Sequence, residues 1–336
     1  FVKESNLQRF LDLTDLQQFT DQLNNQKDYQ IDSDQASDIQ TALDHHYVST
    51  IQMMKLDSTK KMKNFYENYQ ELLDANLIKT AFKQYQSNQE IDEDLSTHAT
   101  SERIQKQLQI LSKTEPEKLD AMLKKFGYPD TIQHLILSEE EFSSFALDAT
   151  IDALFIEKLQ RTKVPYKCEK AKDIFLKRMI DIRTIKHILR AKHLGYDADH
   201  CEQLLIDEGY ELALWKQKEL CKAENIKEVI SKLEGSSYYQ ALKSILDTEK
   251  EQSSIQLFTD ALDKNWLYVL RNISTTYYTT IGPSLRFLEY KQMEIRNLKI
   301  ISKGIAEQLP SKFIALRTCC VDSKFVGCSI NPDSFG

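Results

Sequence analysis

The chain has 336 residues, a net charge of −7 and a pI near 5.6. That balance argues against a nucleic-acid binder, which usually shows a basic face or a pI above about 9. It shows neither the clustered Lys and Arg of a protein held on anionic lipid nor an apolar run of about 18 residues that could cross a bilayer. With only 8 glycines and 6 prolines it is poor in turn formers, while Leu, Lys, Gln, Glu and Ala fill most segments, so the expected fold is all-α.

Residues 1–30 pattern as two short helices, with Leu7, Phe10 and Leu11 on one stripe and Leu16, Phe19 and Leu23 on the next. The chain opens at Phe1, so an N-terminal truncation is expected. Residues 33–85 read as a pair of longer helices. Asp44-His45-His46 lies there, but adjacent helical residues point about 100° apart, which argues against a shared metal. Residues 87–101, SNQEIDEDLSTHATS, read as a polar linker. Amphipathic helices over 102–145 are broken at Gly127-Tyr128-Pro129. Ser138-Glu139-Glu140-Glu141 resembles a capping box. A second helix pair follows over 148–195, with Gly195 as its stop. Short helices return over 198–250, with turns at Asp207-Glu208-Gly209-Tyr210 and Gly235-Ser236-Ser237. A third long pair spans 255–309, divided at Ile281-Gly282-Pro283.

These pairs carry a repeated pattern. Asp74-Ala75-Asn76-Leu77-Ile78-Lys79, Asp181-Ile182-Arg183-Thr184-Ile185-Lys186 and Glu294-Ile295-Arg296-Asn297-Leu298-Lys299 begin 107 and 113 residues apart. A second triplet, Asp44, Asp152 and Asp263, precedes them by 30, 29 and 31 residues. Each of these acids follows an apolar residue and has an aromatic three positions on (Tyr47, Phe155, Trp266). Two motifs at nearly constant spacing argue for three copies of one unit. The expected divisions are 1–101, 102–215 and 216–318, followed by a non-core tail at 319–336.

At about 100° per residue, each of the six acids falls in the middle of an apolar stripe, while Lys79, Lys186 and Lys299 fall on the opposite face. A carboxylate there is costly unless it is paired or hydrogen-bonded. Two readings follow. Each pair of acids could be an acid/base couple, or each acid could bond a backbone or base that fixes how helices cross. The second is favoured, because catalytic pairs rarely recur in every copy of a repeat.

The repeated acid-x-(Arg/Asn)-x-(Ile/Leu)-Lys helix resembles the C-subunit family of archaeal and bacterial V/A-type ATPases, whose eukaryotic vacuolar counterpart is the d subunit. The Glu294 motif, followed by Gly304 and Leu309-Pro310, matches best, and the resemblance runs from about Asn6 to Phe313. It implies three related helical domains in a pseudo-threefold, funnel-like arrangement. It also implies a non-catalytic rotor subunit between the central shaft and the membrane proteolipid ring. Such a protein is cytoplasmic, peripheral on the membrane through its complex, without cofactor, nucleic acid or direct lipid insertion. It transmits torque for ATP-driven proton or sodium transport or for ATP synthesis. A helical-repeat scaffold unrelated to ATPases, or an α-helical hydrolase using a carboxylate pair, remain alternatives. Against the hydrolase, no Gly-rich phosphate loop, GxSxG, HExxH or EF-hand loop occurs. The six cysteines include no CxxC, so a zinc site from Cys319, Cys320 and Cys328 is not expected.

Overall fold

The computed structural model describes residues 1–26, 28–138, 140–248 and 255–318; the tail at 319–336, with Cys319, Cys320 and Cys328, lies outside them. Every regular element among the described residues is helical. The two short opening helices are α1 (Glu4–Leu11) and α2 (Leu16–Asn24), the latter capped by Asp15, which accepts from the amides of Gln17 and Gln18. The first long pair is α3 (Ala36–Leu56) and then α4 (Lys60–Leu73) with α5 (Ala75–Gln86). A turn at Asp74 separates α4 from α5, with the amide of Leu77 donating to the Asp74 carbonyl in 3₁₀ fashion.

The stretch 87–101 is a loop that leads from α5 to the next helix. It contains a 3₁₀ turn, Glu93–Ser96, and its last residue, Ser101, caps α6 (Glu102–Leu111). Next come α7 (Leu119–Phe126) and α8 (Asp130–Leu137), parted by Gly127 at φ +83, where a side chain would be strained. The capping box is not realised: the N-cap of α9 (Glu141–Arg161) is Glu140, without a side-chain bond, and the Ser138 hydroxyl accepts instead from the Glu140 amide at 3.3 Å. The second long partner, α10 (Tyr166–His193), stops at Leu194-Gly195. Four short helices follow, α11 (Ala198–Glu202), α12 (Leu214–Cys221), α13 (Ile226–Lys232) and α14 (Tyr239–Thr248). The third pair is α15 (Ile255–Thr276) and α16 (Gly282–Ala306), the latter with Pro283 in its first turn, and α17 (Ser311–Arg317) ends the described chain.

The chain forms two compact units. One comprises residues 1–47, 189–195 and 219 onward; its core includes Phe10, Phe19, Leu23, Ile39, Tyr238, Phe258, Leu285 and Leu298. The other comprises 48–188 and 196–218; its core includes Phe65, Tyr69, Phe82, Ile104, Ile132, Ile156, Phe175 and Ile185. In both, the buried residues follow the helical stripes read from the sequence, and burying such side chains is the main favourable contribution to folding, about 25 cal/mol per Å² of apolar surface.

Candidate functional site: carboxylates that seat loops and bases

The later acid of each motif accepts hydrogen bonds from a segment outside its own helix pair, downstream for Asp74 and Asp181 and upstream for Glu294. Asp74, 2% exposed, takes the amide and hydroxyl of Thr100 at 2.9 Å each and the amide of Ser101 at 2.7 Å. Asp181, fully buried, takes the amides of Tyr210, Glu211 and Leu212 at 3.1, 2.9 and 3.1 Å. Glu294 is 1% exposed and takes the amide of Val2 at 2.8 Å, the Lys291 ammonium at 2.7 Å and the Tyr29 hydroxyl. The third acid thus reaches back to the beginning of the sequence, as the first two reach forward.

Such seats work because a carboxylate that accepts several N–H groups is stabilised as an anion without water. Burial and then the charge of Glu294 push the Tyr29 hydroxyl far above the ordinary phenol range, so it stays a donor to that carboxylate. Seating also dictates a glycine. A Cβ on Gly209 would overlap Asp181 Oδ1 and stand 2.7 Å from its Cγ and 3.2 Å from the Leu212 carbonyl oxygen.

The earlier acids take bases. Asp152, 4% exposed, meets Arg183, Lys79 Nζ at 2.7 Å and His187 Nε2 at 3.5 Å. Burial would raise the Asp152 carboxyl, but Arg183, His187 and Lys79 together outweigh it and hold it well below the usual carboxylate range. Asp263 pairs with Arg296 at 2.5 Å, and Asp44 with Lys299. Arg183 and Arg296 both stand two residues after a later acid and serve the earlier acid of their own helix pair, Asp152 and Asp263. In the first copy that place belongs to Asn76, which is exposed.

The helical wheel placed Lys79 and Lys299 opposite the acids, and that face is not free solvent. Lys79 on α5 is 12% exposed by side chain and bridges to Asp152 on α9, while Lys299 on α16 bridges to Asp44 on α3. Lys186 is half-buried on α10. Sequence reasoning missed His187, Lys291, Tyr29 and the Thr100-Ser101 seat. His187 stands four residues after Arg183, on the same helical face, and that spacing was a usable signal. His45 is exposed, and His46 packs on the Tyr29 ring at 4.6 Å between centroids.

Within the first unit, α16 bonds residues from the start of the chain at three places: Glu294 to Val2 and Tyr29, Lys299 to Asp44, and the Leu288 carbonyl to the Tyr47 hydroxyl at 3.1 Å.

An all-α protein whose long helices and loops are bonded at buried carboxylates is the class these observations define. The chain belongs to the ATP synthase (C/AC39) subunit family, whose model matches residues 1–316. It is 32% identical over 171 residues to the C subunit of the A-type ATP synthase of Methanothermobacter thermautotrophicus, covering 50% of this chain and 44% of that protein. To the corresponding C subunit of Methanocaldococcus jannaschii it is 32% identical over 190 residues, 54% of this chain and 47% of that one. With the Pyrococcus horikoshii C subunit the match is longer, 27% over 273 residues, or 81% and 72%. The matched stretches thus span about half the length of the first two relatives.

Proposed function

We propose that the chain is a non-catalytic coupling subunit of a rotary V/A-type ATPase, seated between the central shaft and the membrane proteolipid ring. The observation that carries this reading is the family match across residues 1–316. The geometry supports it on physical grounds. An element that transmits torque must resist shear between its helices. Salt bridges and amide bonds to fixed carboxylates are directional, whereas apolar packing alone lets helices slide. The six acids and the bases Arg183, Arg296, Lys79 and Lys299 are read as structural, with no role in bond making. Among the described residues no helix is long and apolar enough to cross a membrane, and the proposed attachment to a membrane sector runs through protein contacts.

The test is reconstitution. Adding the protein to a shaft-bearing catalytic head and a membrane ring lacking it restores ATP-driven ion pumping, while the protein alone hydrolyses no ATP and hydrolysis by the free head is unchanged. Pumping that proceeds equally well without the chain would refute the coupling role.

A further inference from the structure

Against the expectation that Lys and Arg are not clustered, residues 158–178 carry eight lysines and arginines against two acids, in a chain whose net charge is −7. Part of this charge is used internally. Lys158 pairs with Glu71, Lys172 is buried against the Gln160 and Thr162 carbonyls, and Arg178 pairs with Glu211. Lys167, Lys170 and Lys177 are exposed, and none has an ion-pair or hydrogen-bond partner among the described residues. Of the two acids beside them, Glu169 is committed to Lys172 at 2.7 Å and to the Val164 amide, leaving Asp173 as the exposed one.

These lysines line an open groove of about 730 Å³, together with Tyr166, Ile174 and Tyr210. Lys167, Lys170, Ile174 and Lys177 fall at i, i+3, i+7 and i+10, one face of α10, and at 1.5 Å per residue they extend over about 15 Å. Tyr166 is 93% exposed and Tyr210 49%. The Tyr210 side is rigid: its amide sits on Asp181, and the Arg178 guanidinium stacks 4.2 Å from its ring centroid. A fixed, concave surface with tyrosines and unpaired cations is prepared for a partner before the partner arrives.

We propose that this groove docks an acidic amphipathic helix of a partner protein, its glutamates or aspartates facing Lys167, Lys170 and Lys177 and an apolar residue meeting Ile174 between the tyrosines. Charge complementarity selects the sign, because the groove is basic on an acidic chain. The spacing selects a helix of about three turns, as in helix-in-groove recognition. A flat anionic membrane would reach the lysine tips but not Ile174. The docking does not depend on the rotor reading.

The test uses the full chain with three probes. One is a fluorescent helical peptide of about 14 residues, with glutamates and leucines alternating at helical spacing. The second is the same peptide with lysine for glutamate, and the third is phosphatidylcholine vesicles containing phosphatidylglycerol. The acidic peptide binds saturably, weakens as salt is raised, and loses about tenfold or more in affinity with Lys167→Glu/Lys170→Glu/Lys177→Glu. Tyr166→Ala also weakens it, whereas Lys113→Glu/Lys125→Glu, in the turn after α6 and on α7, does not. Thermal melts of these surface variants match the parent, so a lost fold cannot imitate lost binding. Three results would overturn the proposal: no saturable binding of the acidic peptide, equal binding of the lysine peptide, or vesicle binding that the acidic peptide fails to displace.

Discussion

Asp181→Ala removes one acceptor from three amides at once. A hydrogen bond to a charged group is worth about 1.5–3 kcal/mol, and leaving a buried donor unmet costs about 1–3 kcal/mol. The Leu212 amide is in buried surroundings and keeps that full cost, while the Tyr210 and Glu211 amides are part-buried and regain water. The net expectation is a loss of about 3 kcal/mol, which at a urea slope of about 2–3 kcal/mol/M moves the midpoint down by about 1–1.5 M. Asp181→Asn is destabilised too, because its NH₂ group faces N–H donors. Gly209 supplies a sharper test. Alone, Gly209→Ala drives a methyl into the Asp181 carboxylate and destabilises strongly; with Asp181→Ala already present, that clash is gone and the second change adds little. Equilibrium urea unfolding of the two single variants and the double variant checks this. Additive losses, or an Asp181→Ala midpoint equal to the parent's, would refute the seating argument.

Two further expectations concern pH. The Asp152 carboxyl is held below its unfolded value, so the stability it contributes is complete above about pH 4–5 and declines as pH falls; acid unfolding of Asp152→Asn is correspondingly shallower, read by circular dichroism from neutral pH downward. His46 is pushed below its ordinary value by burial and by Lys291, so its neutral form contributes stability that is present above about pH 6.5 and is lost on acidification. His46→Phe keeps the ring against Tyr29 and flattens that part of the stability profile; an unchanged profile between about pH 7 and 5 would refute this role.

The sequence by itself determined the all-helical class, the three long pairs, the stops at Gly127 and Gly195, the break between the last two long helices near Gly282-Pro283, and the inward face of Asp152, Asp181, Asp263 and Glu294. These are legible because a helix has a fixed period, and a residue's neighbours three, four and seven positions away report which face is apolar. What each acid meets was not legible. Asp181 bonds amides 29–31 residues downstream, Glu294 bonds an amide 292 residues upstream, and Lys79 and Lys299 serve acids on other helix pairs. No local period encodes such partners. The break at Asp74, the seat at Thr100-Ser101 and the exclusion of any side chain at Gly209 likewise belong to tertiary structure, because each depends on where a loop passes over a helix that precedes it by tens of residues.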